Sequence, residues 1–334
     1  MALKTKSLLL FYIFFEASVI PITLILFIYG YQPEKLQATL YFIIYTITRS
    51  LPLLIYIIIW HFQLMSSSFQ SIPITLAFIV KTPLYLIHTW LPKAHVEAPV
   101  GGSMLLAGVL LKLGSYGLLI FVPYIKINNI LLLYLTLRIF GSFVCALICM
   151  RQGDMKLLIA YSSVVHMGVV TLGFIRGSES GYLSGILMVL AHGLCSPFLF
   201  SFANSIYQNS HSRLLLNNSC PWPLQSFTLM GLVTLNMGIP PCLGLWSEVY
   251  LARRILSLFN SCWMLLFIVF FFSVLYNLYI YTSCIQSKYS YISITITSKE
   301  FLPIVQVLFF GYGSFFCLDI LHLSQYFVYL KPHQ

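Results

Sequence analysis

The chain has 334 residues, of which 59% are hydrophobic and 8% are charged, and its mean hydropathy is +0.91. Soluble domains carry about 25% charged residues, so this composition excludes a soluble globular protein and predicts a helical protein that crosses the lipid bilayer many times. The net charge is +10, but lysines and arginines stand singly between apolar segments, which excludes a nucleic-acid-binding surface.

Cysteine usage gives no sign of a redox or metal centre. The eight cysteines are scattered along the chain, and none belongs to a Cys-x-x-Cys pair. Zinc and iron–sulfur sites need grouped ligands, and a nucleotide-binding loop needs glycines between a strand and a helix. We therefore expect no cofactor, no metal site and no redox centre in this chain.

The first predicted span, within residues 7–31, contains an acidic residue near its middle. This residue is Glu16, and Pro21 follows five residues later and frees the carbonyl of Ala17 from its helical hydrogen bond. A buried carboxylate needs a partner, and a lysine nearby would let both groups remain charged and titrate as a pair. We therefore expect a basic partner for Glu16 from another span.

Two further spans each contain one arginine. The second span, about residues 38–60, contains Arg49 and is expected to be kinked at Pro52. The span of residues 130–150 contains Arg138, which we interpret as a packing residue. The sequence leaves open whether Arg49 belongs to the polar interior or faces a neighbouring chain.

The central stretch, residues 76–121, consists of two apolar spans joined by a short polar elbow. Each span has a lysine in its interior: Lys81, two residues before Pro83, and Lys112. An ammonium at bilayer depth is costly unless it faces protein or water, and a proline-broken helix is tolerated only in the same surroundings. The two lysines therefore indicate a functional site. The alternative is that Lys81 extends from a helix end towards the interface and that Lys112 reflects packing alone.

Polar residues follow both lysines at helical spacing. Tyr85 and His88 lie at i+4 and i+7 from Lys81, which would form one stripe if the helix were continuous. Ser115 shares a face with Lys112 in the following span. A hydrated path through the membrane needs such a polar stripe.

Two later spans each contain a histidine with a serine one helical turn away. His166 follows Ser162, and His192 precedes Ser196. A neutral imidazole can both accept and donate a proton near neutral pH, so the pair predicts a proton relay. The alternative is that each histidine is a core residue whose hydrogen bonds are satisfied locally.

A second broken helix is predicted near the end of the chain. Pro240 and Pro241 interrupt the apolar span of about residues 222–254, and Glu248 lies two turns further on. This repeats the arrangement of an ionisable residue beside a helix break. The alternative is that Glu248 lies near a helix end and pairs with Arg253 or Arg254.

The pattern as a whole predicts an all-α, polytopic transmembrane helix bundle with about ten spans. We expect a single integral membrane domain over residues 1–334. A broken helix in each half is typical of transporters built from inverted repeats with a site near the bilayer midplane. The repeats would cover about residues 1–125 and 126–285, followed by a C-terminal span at about 300–323.

Several segments resemble the antiporter-like membrane-arm subunits of respiratory complex I. The resemblance runs over about residues 9–256 and rests on FFEASVIP, GYQPEKLQA, VKTPLYLIHTWLPKAHVEAPVGGSMLLAGVLLKLGSYGLL, AYSSVVHMG and AHGLCSPFLF. Lys93 and the pair Val96-Glu97 are more similar to animal mitochondrial members than to bacterial ones. The resemblance therefore implies a multi-pass protein of the mitochondrial inner membrane.

The resemblance also implies a function. It makes the chain a proton-translocating subunit of NADH:ubiquinone reductase, driven by electron transfer that occurs elsewhere in the complex. NADH, flavin, iron–sulfur clusters and ubiquinone would be bound by other subunits, and the partners would be other membrane-arm subunits, including neighbouring antiporter-like ones. The family's relay residues fall, in order, on Glu16 coupled to Lys81, then Lys112, His166, His192, and Glu248 as the exit.

Two alternatives and one departure accompany this interpretation. The chain could be a stand-alone cation/proton antiporter subunit, or a structural subunit that spaces its neighbours in the membrane arm. Members of the family usually have several more spans before the FFEAS motif, whereas this sequence begins almost at that motif. The sequence leaves open whether it is a fragment or has a shortened start.

Overall fold

The architecture is helical, as expected. The structure, a computed structural model, describes residues 7–30, 33–62, 77–121, 129–175, 179–217, 223–256, 263–286 and 298–313. Within these ranges the regular structure is helix, apart from one isolated antiparallel bridge between Asp154 and Leu214. The predicted all-α class is confirmed.

The helices of the first half surround the two lysines. They are α1 (Leu8–Ala17), α2 (Val19–Tyr29), α3 (Lys35–Phe62), α4, whose described part is 77–81, α5 (Trp90–Glu97), α6 (Val100–Leu105) and α7 (Leu111–Phe121). A π-helix, Leu106–Leu110, joins α6 to α7. The residues from α4 to α7 thus form the predicted pair of spans with an elbow between them.

The helices of the second half contain the histidines and the second break. They are α8 (Asn129–Met150), α9 (Met155–Ile175), α10 (Glu179–Ser210), α11 (Pro223–Met237), α12 (Leu243–Leu256), α13 (Trp263–Gln286) and α14 (Ser298–Gly313). A 3₁₀ turn, Leu215–Asn217, follows α10.

Seven helical stretches of the described residues are long and apolar enough to cross a membrane. They are Leu8–Tyr29, Lys35–Ile59, Val100–Phe121, Leu133–Met150, Met155–Phe174, Ser180–Gln208 and Trp263–Ile285. The broken segments α4–α5 and α11–α12 and the shorter apolar helix Pro303–Gly313 correspond to the other predicted spans. The chain is therefore a multi-pass helical protein, and the total of ten spans stays a prediction.

Helix α9 lies at the centre of the bundle. Of its most apolar window, 89% is buried, against 28% for each of the first two spans. Helices α5, α7, α8, α10 and α12 all pack against α9. Helix α9 contains Lys156, Ser162, Ser163 and His166, and its burial keeps these polar side chains inside the bundle rather than against lipid.

Both predicted breaks are present, and each changes the course of the chain. Helix α4 ends at Lys81, and Leu86 has a left-handed backbone with φ of +80°. The stripe that Lys81, Tyr85 and His88 would form on a continuous helix is therefore not present, because these residues do not share one helix. Instead, the rings of Tyr85 and His88 stack with their centroids 5.3 Å apart.

The second break lies between α11 and α12. Helix α11 ends at Met237, α12 begins at Leu243, and the prolines Pro240 and Pro241 lie between them. Gly238 has φ of +72°, a conformation that side chains other than hydrogen disfavour. This turn directs the start of α12 back against the bundle.

Candidate functional site

Glu16 and Lys81 come together as the sequence predicts. The Nζ of Lys81 lies 3.6 Å from a carboxylate oxygen of Glu16, and it donates a hydrogen bond to the carbonyl of Phe15 at 2.7 Å. The same ammonium lies 3.1 Å from the centre of the Phe15 ring. Lys81 is only 1% exposed, so the alternative that it extends to the interface is wrong. Helix α1 therefore supplies the carboxylate, the carbonyl and the ring that stabilise the buried ammonium of Lys81.

The end of α4 is held by a residue that the sequence did not single out for function. Arg138 of α8 is buried and donates hydrogen bonds to the carbonyls of Thr82 and Pro83, at 2.7 and 3.0 Å. Its interpretation as a packing residue is therefore wrong, because its guanidinium binds the backbone of the break. Trp90 acts in the same way, since its indole Nε1 donates to the carbonyl of Val80 at 3.2 Å.

Lys112 contacts a histidine directly. Its Nζ lies 2.7 Å from Nδ1 of His192 and 2.5 Å from the carbonyl of Ala107. Ala107 belongs to the π-helix that precedes α7, and such irregular turns change which backbone groups are available to side chains. Because Nδ1 accepts from the ammonium, the ring proton of a neutral His192 is placed on Nε2.

The two histidines lie next to each other on neighbouring helices. Their ring centroids are 5.8 Å apart, and both side chains are buried. Nε2 of His166 lies 3.3 Å from the hydroxyl of Tyr276 on α13. The structure thus brings together two residues separated by an interhelical loop in the sequence.

The serines near the histidines behave differently from each other. Ser196 lies 3.3 Å from Nδ1 of His192, but it also donates to the backbone carbonyl of His192 at 2.8 Å. Ser162 donates to the carbonyl of Ile159 at 2.8 Å. The hydroxyl of Ser162 is therefore used by its own helix, whereas that of Ser196 also lies near the imidazole of His192.

A small cavity connects the histidines to Glu248. It has a volume of about 10 Å³, close to the smallest volume that accommodates a water molecule. Its polar lining comes from His166, His192, Asn236 and Glu248, and its apolar lining includes Met188, Ala191, Cys195 and Leu235. Four of the predicted relay residues, from Lys112 to Glu248, thus form one connected group.

The carboxylate of Glu248 faces the second break. A Cβ added at Gly238 would lie 2.9 Å from Oε2 of Glu248, so only glycine leaves room for the carboxylate here. The alternative of a pair with Arg253 finds no support, because Arg253 is exposed whereas Glu248 lines the internal cavity. The side chain of Arg254 lies outside the described residues.

Neutral polar residues around this cavity were missed at the level of sequence. The amide of Asn236 donates to the side-chain oxygen of Asn277 at 2.9 Å, and Asn277 in turn donates to the carbonyl of Ser273 at 2.9 Å. Both asparagines are buried. An asparagine within the long apolar run of α13 is the signal that would have identified them, because an amide at membrane depth needs partners.

The path has one interruption within the described residues. No hydrogen bond joins Lys81 to Lys112 in the described part of the chain, although their helices touch. A Cβ added at Gly114 of α7 would lie 3.0 Å from Cβ of Lys81. The first pair and the Lys112 group are therefore adjacent but separate.

The described residues contain no group of three or more His, Cys, Asp or Glu side chains arranged to hold a metal ion. The five cysteines whose state is described, Cys145, Cys149, Cys195, Cys242 and Cys284, are free and buried.

Comparison with known proteins identifies the family of the chain. Residues 5–276 match the family model described as NADH:quinone oxidoreductase/Mrp antiporter, TM. The chain belongs to this antiporter-like family. It is 43% identical over 305 residues to NADH-ubiquinone oxidoreductase chain 4 of Artemia franciscana, a match that covers 86% of this chain and 78% of the relative.

A second relative of this antiporter-like family is NADH-ubiquinone oxidoreductase chain 4 of Ceratitis capitata. It is 41% identical over 295 residues, which cover 83% of this chain and 66% of that protein. The chain therefore spans between 66% and 78% of the length of these two relatives.

Solved structures share the fold of this antiporter-like chain. A chain of respiratory complex I from Thermus thermophilus with bound NADH superimposes with a TM-score of 0.82 at 24% identity, covering 98% of this chain and 76% of that one. A chain of the Mrp complex from a Dietzia species gives a TM-score of 0.79 at 18% identity, covering 92% and 37%. At these identities the comparison concerns the fold.

Proposed function

We propose that this chain is a proton-translocating membrane-arm subunit of respiratory complex I, which couples electron transfer from NADH to ubiquinone to proton transport. The single observation that carries the proposal is the contact of Lys112 with His192 at 2.7 Å inside the bundle. His192 also lies next to His166 and lines the cavity that contains Glu248, so a proton accepted from Lys112 has a route towards Glu248. The names of the relatives supply the reaction that drives it.

The pair of Glu16 and Lys81 acts as the switch. In a medium of low dielectric constant, a change in the separation of two charges alters the local potential far more than it would in water. When the ammonium of Lys81 leaves the carboxylate of Glu16, the neighbouring ammonium of Lys112 experiences a new field. The close packing of Gly114 against Lys81 places the two lysine-bearing segments side by side.

The proton then moves along the Lys112 group. Nζ of Lys112 passes a proton to Nδ1 of His192, and the imidazole releases its other proton from Nε2. A water molecule in the cavity would carry this proton towards the carboxylate of Glu248, with His166 as a second acceptor. Each transfer needs only a hydrogen-bond distance between donor and acceptor.

The cofactors, partners and location of the chain follow from the same proposal. The chain itself holds no redox cofactor, and NADH, flavin, iron–sulfur clusters and ubiquinone bind to other subunits. Its partners are other membrane-arm subunits, including neighbouring antiporter-like ones. Its location is the mitochondrial inner membrane, which is supported by the animal relatives.

The two breaks mark two structural repeats, of about residues 1–125 and 126–285. The supporting observation is that each half places one ionisable side chain against its own break. Lys81 ends the helix before the first break, and Glu248 faces Gly238 at the second. Such breaks in corresponding positions are typical of transporters with inverted repeats.

The experiment that tests the proposal measures protons moved per NADH oxidised in inner-membrane vesicles containing the complex. Lys112→Met is expected to lower this ratio while leaving the complex assembled, because methionine fills the volume without carrying a proton. Lys93→Met is the matched control, since Lys93 is exposed at the elbow and lies over the ring of Tyr41 at 4.2 Å. An unchanged ratio in an assembled Lys112→Met complex would favour the structural-subunit alternative.

A stand-alone cation/proton antiporter is the second candidate. It is favoured by the family description, which includes the Mrp antiporter, and by the fold shared with an Mrp complex. It predicts that purified protein in vesicles exchanges sodium ions for protons without NADH. Co-migration of this chain with NADH dehydrogenase activity on a native gel, checked by mass spectrometry, would argue against it.

A further inference from the structure

Arg138 occupies an unusual position in the bundle. It lies within the apolar window of α8, is 2% exposed, and uses all three guanidinium nitrogens. Its Nε donates to the hydroxyl of Tyr134 at 2.6 Å, and its terminal nitrogens point at the break that follows α4. A charged side chain at this depth needs such a complete set of partners.

The partners of Arg138 are the backbone groups that the break leaves without helical hydrogen bonds. Pro83 has no N–H, so the carbonyl of Ile79 loses its i+4 donor. Arg138 reaches this carbonyl at 3.4 Å and binds those of Thr82 and Pro83 at 2.7 and 3.0 Å. The hydroxyl of Thr82 accepts a further bond at 3.1 Å.

A planar guanidinium suits this task better than other side chains. Its fixed fork of N–H groups can bind several carbonyls at once, and its positive charge is favourable at the C-terminal end of a helix. Lysine would keep the charge but offer a single, flexible point of contact. The geometry of Arg138 therefore matters as well as its charge.

The bound backbone is the segment that presents Lys81. Lys81 is the last helical residue before the carbonyls that Arg138 binds. Its Nζ must lie within reach of both the Phe15 carbonyl and the Glu16 carboxylate, at 2.7 and 3.6 Å. A rotation of the helix end by a fraction of a turn would move the ammonium away from both.

We propose that Arg138 is a positioning residue of the proton path, which fixes the end of the broken helix so that Lys81 remains paired with Glu16. This inference rests on the proposed function, because it acts through Lys81. Arg138 itself transfers no proton, since a guanidinium stays protonated in proteins.

The test compares two variants in the assembled complex. Arg138→Lys keeps the charge and removes the fork, whereas Tyr134→Phe keeps the ring and removes the hydroxyl that accepts from Nε and also contacts Thr171. Both are expected to lower the protons moved per NADH by about twofold or more, and to have no further effect when combined with Lys81→Ala, since contacting residues on one path are not additive. A merely structural role would reduce the amount of complex without changing this ratio.

Backbone exchange provides an independent measurement. Amide hydrogen exchange over residues 82–91, followed by mass spectrometry, is expected to rise in Arg138→Lys, since the backbone there loses its partner. Arg151→Lys is the matched control, because Arg151 is exposed at the end of α8. If Arg138→Lys prevents assembly, the same two measurements on the milder variant Tyr134→Phe decide whether Arg138 positions Lys81.

The outcomes separate the two proposals. An impaired Lys81→Ala complex together with a normal ratio and normal exchange in the assembled variants would overturn the role of Arg138 alone. A normal ratio in Lys81→Ala would overturn the switch assigned to that lysine, and with it any action of Arg138 on pumping.

Discussion

His192 is the residue on which the proposed path depends most directly, because it is contacted from both sides. Lys112 lies at its Nδ1, and the cavity that includes Glu248 lies against the same side chain. Its Nε2 has no hydrogen-bond partner among the described residues. A buried N–H of this kind is costly unless water or a transferred proton satisfies it. These contacts support the proposed relay role of His192 over the alternative of a locally satisfied core histidine.

Replacing His192 tests this directly. His192→Gln keeps a polar side chain of similar size but removes the group that both accepts and releases a proton. We expect proton transfer through this chain to slow by about 100-fold or more, the range typical of a lost acid–base group. The measurement is the rate of proton movement in vesicles, with the protons moved per NADH determined in the same experiment.

Ser196→Ala is the control for this substitution. Ser196 lies near the same imidazole but donates to the carbonyl of His192 at 2.8 Å, so its loss affects the helix locally. A similar loss of pumping in both variants would argue for a structural effect at this position rather than a relay.

At the scale of elements, the irregular turns give the bundle its site. The π-helix presents the carbonyl of Ala107 to Lys112, the break after α4 exposes the carbonyls that Arg138 binds, and the break before α12 turns Glu248 towards the cavity. Regular helices would satisfy these backbone groups internally and leave the ionisable side chains without polar neighbours.

The requirement for glycine at position 238, in the second break, can be tested by adding a single methyl group. Gly238→Ala would combine a left-handed backbone with a Cβ placed 2.9 Å from Oε2 of Glu248. We expect destabilisation of about 1–3 kcal/mol, from the strain of that backbone conformation together with displacement of the carboxylate. Thermal inactivation of the assembled complex measures it, and a reduced proton ratio should accompany it.

Gly101→Ala provides the matched glycine control. A Cβ added at Gly101 would meet nothing within 4 Å, and the residue is in helix α6. This substitution is expected to leave stability unchanged or to raise it by up to about 1 kcal/mol, because alanine is favoured over glycine in helices. Equal losses in both variants would show that the effect of Gly238→Ala is unrelated to the second break and to Glu248.

At the scale of the whole molecule, the ionisable residues form two adjacent groups between α1 and α12. These groups are Glu16 with Lys81, and Lys112 with the histidines and Glu248. The central helix α9 supplies His166 and is buried almost completely. The spans at the start of the chain are largely uncovered, with exposed apolar side chains suited to lipid or to neighbouring subunits.

A double-mutant cycle measures whether the second group works as one unit. Lys112→Met and Glu248→Gln are each expected to lower the proton ratio, and the double variant should be no worse than the more severe single one, because both interrupt the same path. The measurement is again protons moved per NADH in vesicles, with NADH oxidation as the internal reference. Additive losses would indicate that Lys112 and Glu248 belong to separate routes.

The cost of charge in a membrane made the principal residues predictable. Glu16, Lys81 and Lys112 stand out in apolar runs, and Pro83 and Pro240 mark the breaks, so sequence reasoning reached them without a structure. Arg138 was equally visible but its role was not, because the carbonyls it binds come from another helix, 55 to 59 residues away. Asn236 and Asn277 are uncharged, so the cost of burying a charge did not identify them.

The sequence by itself determined that the protein is a helical membrane bundle and where the prolines break its helices. It also identified the ionisable residues whose burial in a membrane costs so much free energy that a functional role is expected. These properties depend on composition and on neighbouring residues, which the chain carries locally. Only the tertiary structure decided which partners meet: that Lys112 contacts His192, that a cavity joins the histidines to Glu248, and that Arg138 holds the end of α4. Contacts between distant helices depend on how their faces pack, and uniformly apolar spans contain almost no pattern that specifies those faces.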